Sequence, residues 1–140
     1  MPDGKLAAGS RTAGPVLLVE DDADLRSALA ELLHDEGYDF IMAEHGLDAL
    51  EALDRQTPSL LLTDLLMPIM NGVELIARLR DEPRWADLPI VVMTAAGDRI
   101  IGAELEGLNL PVLKKPVDVA DLAQVLARYS GTSAEQTRSV

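Results

Sequence analysis

The sequence predicts one α/β domain built on a parallel sheet, and three observations support this prediction. Its 140 residues match the usual size of a single domain and suffice for a hydrophobic core. Short apolar runs alternate with longer segments of helical period, which is the pattern of repeated βα units. The apolar runs are nearly continuous, as in parallel strands that are buried on both faces. We therefore expect five βα units.

Turn residues separate the apolar runs that we predict as strands. Aromatic residues make up only 3% of the chain, so the core must be built from aliphatic side chains and methionine. The predicted strands are Val16 to Val19, Asp39 to Ala43, Leu60 to Thr63, Ile90 to Thr94 and Pro111 to Leu113.

The helices are predicted from apolar stripes at helical spacing. The first begins near Asp22 and ends before Gly37, because glycine is common just after a helix. The fourth, near Arg99 to Glu106, has the least regular pattern. The stripes of the other four are Leu25, Ala28, Leu29 and Leu32; Leu47, Leu50 and Leu53; Val73, Ile76 and Leu79; and Leu122, Val125 and Leu126.

The chain ends and the overall charge narrow the classes of protein to consider. Residues 1–14 and 130–140 lack a pattern that would bury them, so we expect flexible tails around a domain at residues 15–129, with no room for a second domain. No apolar run is long enough for a secretory signal or a membrane span. A net charge of -12 opposes direct nucleic-acid binding, and the lack of cysteine fits a cytoplasmic protein.

Polar residues follow four of the five predicted strands. In an open parallel sheet, ligands bind outside the carboxyl ends of the strands. We therefore expect these residues to converge on one crevice. They are Glu20, Asp21 and Asp22 after the first strand, Asp64 after the third, Thr94 at the end of the fourth and Lys115 after the fifth.

Carboxylates gathered at one sheet edge repel one another unless a cation lies between them. Oxygen ligands without nearby histidine or cysteine favour Mg²⁺, with Asp21 and Asp64 as the direct ligands. An aspartate can also attack a phosphoryl group if positive charge from the metal and Lys115 offsets the charge on the transferred oxygens. The hydroxyl of Thr94 would then donate a hydrogen bond to a phosphoryl oxygen.

Four motifs in this order resemble the receiver domains of two-component response regulators. They are VLLVEDD at Val16 to Asp22, LLLTDLLMPIMNG at Leu60 to Gly72, PIVVMTA at Pro89 to Ala95, and KKP at Lys114 to Pro116. The resemblance covers about Pro15 to Tyr129. It implies a flavodoxin-like, doubly wound (βα)5 fold with strand order 2-1-3-4-5.

The resemblance also implies roles for individual residues. Asp64 would be the phosphoacceptor, and Asp21 would bind Mg²⁺ directly while Glu20 acts through water. The third protein ligand would be the backbone carbonyl of Leu66, and Mn²⁺ would be a possible substitute for Mg²⁺. Lys115 would contact the phosphoryl group.

Two further expectations concern the fifth strand and the residues after it. The Lys115–Pro116 peptide is often cis in such domains. The family usually has Tyr or Phe three residues before the lysine, where this sequence has Val112. The usual coupling of Thr94 to an aromatic side chain would then be missing, and the signal would travel through the segment after strand four, Ala95 to Glu106.

The predicted function is a single-domain receiver, phosphorylated by a sensor histidine kinase or a histidine phosphotransfer protein and read by a downstream protein or used in a phosphorelay. Such a domain catalyses only its own phosphoryl transfer and dephosphorylation. One alternative is a degenerate receiver that acts as an unphosphorylated scaffold. Another is a phosphohydrolase with an Asp nucleophile, although haloacid-dehalogenase-like enzymes carry that residue on strand one.

Some polar residues have a simpler structural interpretation. Asp22 and Asp24 suit the start of the first helix, where aspartate accepts hydrogen bonds from free N–H groups. His34 and His45 have no partner motif, so we assign them no function.

Overall fold

Five strands form one parallel sheet in a computed structural model that describes residues 14–65, 67–95 and 110–129. The order is β2-β1-β3-β4-β5, which confirms the expected 2-1-3-4-5 arrangement. The strands are β1 (Val16–Val19), β2 (Phe40–Ala43), β3 (Leu60–Asp64), β4 (Ile90–Thr94) and β5 (Val112–Lys114).

Four helices lie in the described part of the chain. The fourth predicted helix, Arg99 to Glu106, lies outside the described residues, and so do residues 1–13 and 130–140 of the predicted tails. No helix within the described ranges has the length and apolar character needed to cross a membrane. The helices are α1 (Ala23–Asp35), α2 (Gly46–Arg55), α3 (Gly72–Arg80) and α4 (Val119–Tyr129).

The core has two parts, one on each face of the sheet. Alternate residues of β1 serve the two faces: Leu17 packs with α2 and α3, whereas Leu18 packs with α1 and α4. All four residues of β1 are therefore fully buried. This two-sided burial explains why the strands are continuously apolar in sequence.

Several predicted element boundaries need correction. β2 begins at Phe40 rather than Asp39, β3 extends to Asp64, and β5 is shifted one residue along, to Val112–Lys114. β3 and β5 extend further than predicted because Asp64 pairs with Met93 and Lys114 pairs with Thr94 in the ladders with β4. Gly14 lies close to the loop before β3, since a Cβ added there would be 2.7 Å from the Thr57 carbonyl oxygen.

Two residues of the predicted apolar stripes face solvent. Ala28 is exposed and Leu33 is buried instead, so the buried face of α1 consists of Leu29, Ala30 and Leu33. Leu47 is 44% exposed, because α2 packs through Gly46, Ala49 and Ala52. Small side chains at these positions let the helix approach the sheet more closely than leucines would.

Ile69, in the loop between β3 and α3, has a positive φ of 70° and a side chain that is 68% exposed. A left-handed conformation costs a β-branched residue about 1–2 kcal/mol, whereas asparagine adopts it more readily. We therefore expect Ile69→Asn to raise the free energy of unfolding by about 1 kcal/mol in urea titrations. Ile69→Val keeps the β-branch and should bring no such gain. A destabilised Ile69→Asn variant would contradict this prediction.

Candidate functional site

The carboxyl ends of β1 and β3 bring three carboxylates together. In the parallel ladder Val19 pairs with Thr63, so Glu20 and Asp64 follow at neighbouring strand ends. One ligand oxygen from each of Glu20, Asp21 and Asp64 lies within 4.8 Å of the others. Glu20 is only 1% exposed and Asp64 5%, whereas Asp21 is exposed. The sequence prediction that these residues meet is thus borne out in their positions.

Lys115 joins this cluster from the other side of β4. Its Nζ donates to Oδ2 of Asp64 at 2.8 Å and to Oε1 of Glu20 at 3.0 Å. Its backbone N–H donates to the carbonyl of Thr94 at 2.7 Å, which continues the pairing of β5 with β4 beyond Lys114. The peptide bond between Lys115 and Pro116 is cis. One ammonium group therefore bridges two largely buried carboxylates.

Glu20 is held at all three of its oxygens. Oε1 accepts from Lys115, and Oε2 accepts from the backbone N–H of Asp22 at 3.1 Å. The carbonyl oxygen accepts from the guanidinium of Arg26 at 2.8 Å. Asp22 also caps α1, because its Oδ1 accepts from the N–H groups of Asp24 and Leu25 at 3.0 and 3.1 Å. The predicted capping role of Asp22 is confirmed.

The pKa values of Glu20 and Lys115 are both raised. Burial raises the pKa of Glu20 above its ordinary value, although the Asp22 N–H and Lys115 oppose this effect and the nearby Asp64 adds to it. Burial lowers the pKa of Lys115, but its hydrogen bonds to Asp64 and Glu20 outweigh the burial and raise it overall. Lys115 therefore stays charged at neutral pH.

These shifts predict how stability without a metal depends on pH. The folded protein binds a proton at Glu20 more tightly than the unfolded chain, so its stability should fall as pH rises from 4.5 through the raised pKa. In that window the wild type should lose free energy of unfolding relative to Glu20→Gln, measured in urea with EDTA present. A wild type that gains free energy of unfolding relative to Glu20→Gln in this window would contradict the prediction.

Lys115 contributes to stability at the opposite end of the pH range. Its contribution is complete below pH 10.5, the ordinary pKa of lysine, and is lost as pH rises through the raised pKa of the folded state.

A tight backbone turn fixes Asp64 on the side away from Lys115. Its Oδ1 accepts from the N–H of Leu65 at 2.8 Å. Gly72, at the start of α3, donates its N–H to the Leu65 carbonyl at 2.7 Å. A Cβ at Gly72 would lie 2.4 Å from the Asp64 carbonyl oxygen, so only glycine fits without moving the backbone. Asn71 and Glu74 form a capping box that fixes the start of this helix.

Other predicted site residues lie at the edge of this cluster or beyond the described ranges. Thr94 is partly buried at the end of β4, and its hydroxyl makes no hydrogen bond to Asp64 or Lys115. Leu66 lies outside the described residues, so its carbonyl remains an expectation, as does the signalling path beyond Ala95. Val112 is 51% exposed on β5.

Sequence reasoning missed two polar contacts near the site. Arg26 was not singled out, although its place five residues after Asp21 and one turn into the first helix puts it beside the acidic residues. His45, left without a function, caps α2 through Nδ1, which accepts from the Asp48 N–H at 3.3 Å. His34 is exposed in the last turn of α1.

The donor set fits a hard divalent cation. All three clustered groups supply carboxylate oxygen, and the chain has no cysteine that would favour a softer metal. Asp21 makes no hydrogen bond or ion pair with other described residues, so its oxygens are available as ligands. Mg²⁺ needs only one or two such carboxylates, together with water.

An open parallel sheet with carboxylates and a lysine at its carboxyl edge is a doubly wound α/β domain with a candidate ligand site at that edge. The family model described as the response regulator receiver domain matches residues 16–127. The chain belongs to this family.

Similar proteins cover this chain to different extents. An uncharacterised 14.6 kDa protein of Leptolyngbya boryana is 38% identical over 115 residues, which are 81% of this chain and 88% of that protein. The transcriptional regulatory protein CpxR of Escherichia coli K12 is 42% identical over 128 residues, or 86% of this chain. That match covers only 53% of CpxR, so this chain corresponds to about half of the regulator.

Solved structures agree with the fold. A response regulator receiver protein from Pseudomonas putida has a TM-score of 0.76 at 33% identity, covering 83% of this chain and 98% of that one. The receiver domain of a signal transduction histidine kinase from Syntrophus aciditrophicus has a TM-score of 0.78 at 29% identity, covering 87% and 92%.

Proposed function

We propose that this domain is a phosphorylation switch in which Asp64 accepts a phosphoryl group from a phosphohistidine. The donor would be a sensor histidine kinase or a histidine phosphotransfer protein. The observation that carries the proposal is the contact of Lys115 Nζ with Asp64 Oδ2 at 2.8 Å, inside a cluster of three carboxylates. Three carboxylates this close repel one another, and a bound cation would offset that repulsion.

In the transfer, a carboxylate oxygen of Asp64 forms a bond to phosphorus while the phosphorus–nitrogen bond of the phosphohistidine breaks. The electron pair of that bond stays on the imidazole nitrogen, and the product is an aspartyl phosphate. Bound Mg²⁺ would offset the negative charge on the phosphoryl oxygens. The domain's own chemistry is limited to this transfer and the later hydrolysis, so it is a switch rather than an enzyme acting on a separate substrate.

The protein's own groups prepare Asp64 for this step. The N–H of Leu65 holds one carboxylate oxygen, and Lys115 holds the other. Since burial keeps water away from Asp64, the positive charge of Lys115 acts strongly at short range. In this proposal Lys115 also contacts the transferred group, which its contact with the acceptor Asp64 supports.

Asp21 is the direct metal ligand in this proposal, together with Asp64 and the backbone carbonyl of Leu66. Glu20 acts through water in this proposal. Mg²⁺ is the proposed ion, and Mn²⁺ has the same preference for oxygen.

The proposed output is binding to a downstream protein or phosphorelay. The hydroxyl of Thr94 would donate to the phosphoryl group and so report its presence. The net charge of -12 argues against nucleic acid as the direct partner. We also propose that the protein acts in the cytoplasm.

Incubation with acetyl phosphate and Mg²⁺, followed by intact-mass measurement, tests the proposal. We expect one phosphoryl adduct on the wild type and on the control Asp54→Asn, which changes an exposed aspartate outside the acidic cluster. Asp64→Asn and EDTA should each abolish the adduct. No adduct on the wild type, under conditions that label another receiver, would favour the unphosphorylated scaffold. Asp64 is the last residue of β3 and does not lie on β1, which argues against the haloacid-dehalogenase-like alternative.

A further inference from the structure

We propose that Arg26 is a positioning residue for the metal site, which it serves by fixing the main chain between Glu20 and Asp21. This inference rests on the proposed function, because it assumes that Asp21 binds a divalent cation. The geometry points to Arg26 because its guanidinium reaches the backbone of the acidic pair while its side chain is only 16% exposed.

Arg26 ties together the carboxyl ends of two neighbouring strands. Its Nη1 donates to the carbonyl of Glu20 at 2.8 Å, just after β1. Its Nη2 lies 3.9 Å from Oε2 of Glu44, just after β2. The Glu20 N–H also donates to the Ala43 carbonyl at 3.1 Å. The planar guanidinium therefore holds the peptide that leads from Glu20 to Asp21 against the end of β2.

This contact bears on metal binding because the Asp21 side chain has no contact of its own among the described residues, so it depends on the peptides on either side, of which the Asp22 N–H is held by Glu20 Oε2. The Asp21 carboxylate makes no hydrogen bond or ion pair within the described ranges. Its direction is set by the main chain, and the preceding carbonyl is the group that Arg26 holds. Groups that orient metal ligands in this way affect metal affinity even though they do not touch the ion.

Electrostatics alone predicts the opposite effect of removing Arg26. A positive charge next to an acidic cluster repels a divalent cation, so its loss should strengthen Mg²⁺ binding. If positioning dominates, its loss should weaken binding. The sign of the change in affinity therefore separates the two roles.

The Mg²⁺ dissociation constant of the Arg26→Met variant, measured by calorimetric titration, tests this inference. The substitution keeps the aliphatic stem of the side chain and removes the guanidinium. We expect the dissociation constant to rise by about tenfold. At saturating Mg²⁺, phosphorylation by acetyl phosphate should stay close to the wild-type rate, because Arg26 does not contact Asp64.

Arg80→Met is the matched control. Arg80 also donates to a carbonyl, that of Trp85 at 3.2 Å, but it lies at the end of α3 away from Asp64. Its loss should leave the Mg²⁺ affinity unchanged.

The outcomes separate this inference from the proposed function. If the wild type binds Mg²⁺ and is phosphorylated, while Arg26→Met binds Mg²⁺ equally well or more tightly, the positioning role is overturned and the proposed function stands. Equal weakening in Arg80→Met would also overturn it, because the effect would then be general destabilisation. If the wild type itself binds no Mg²⁺, the metal site fails and the inference fails with it.

Discussion

Replacing Gly72 by alanine should lower the free energy of unfolding by about 3 kcal/mol, the upper end of the usual cost of overpacking. The added Cβ would lie 2.4 Å from the Asp64 carbonyl oxygen and 2.9 Å from the Leu65 Cα. Both are backbone atoms, so α3 and the end of β3 would have to separate. The same movement would disturb the hydrogen bond from the Leu65 N–H to Asp64. Urea titration monitored by circular dichroism measures the loss.

Gly46→Ala is the matched control for this effect. Gly46 also begins a helix, but the atoms that its Cβ would meet belong to the side chain of Met70, at 2.7 Å. A methionine side chain adapts more readily than a backbone, so the cost should be clearly smaller. Equal costs for Gly46→Ala and Gly72→Ala would contradict the explanation by backbone contact.

Replacing Asp21 by asparagine should have opposite effects on stability and on phosphorylation. Without Mg²⁺, removing one of three clustered carboxylates should raise the free energy of unfolding by about 1 kcal/mol, because like charges at this separation repel. In Mg²⁺, labelling by acetyl phosphate should slow by about 100-fold, because the proposed direct ligand is changed. Urea titration and intact mass against time measure the two effects.

Asp24→Asn is the control for Asp21→Asn. Asp24 is exposed in the first turn of α1 and is outside the acidic cluster. Its replacement removes a favourable charge at a helix start, so it should not stabilise the fold and should leave labelling unchanged. If Asp21→Asn is phosphorylated as fast as the wild type, Asp21 is not a metal ligand that the reaction needs.

The main features of the fold were predictable because they depend on local patterns. Apolar runs as continuous as Leu60 to Leu62 occur where strands are buried on both faces. Gly37 takes a positive φ of 86° just after α1, as expected of a glycine that follows a helix. Asp21 and Asp64 were predictable as neighbours because parallel strands end at one edge. The exact strand order followed from the family resemblance, since periodicity alone does not fix which strands pair.

The unpredicted features depend on contacts between distant parts of the chain. Lys115 was assigned to the phosphoryl group, but its second bond, to Glu20, joins residues 95 positions apart. The contact of Arg26 with the Glu20 carbonyl needs a rotamer that no sequence pattern specifies. The positive φ of Ile69 was also not foreseen, because isoleucine seldom adopts it.

The most direct test of the central claim is to locate the phosphoryl group. Acetyl phosphate with Mg²⁺ forms the adduct, borohydride reduces an aspartyl phosphate to homoserine, and peptide mass spectrometry then finds the changed residue. We predict homoserine at position 64 and at no other aspartate. Homoserine at another position, with Asp64 intact, would contradict the account, and so would an adduct that survives in Asp64→Asn.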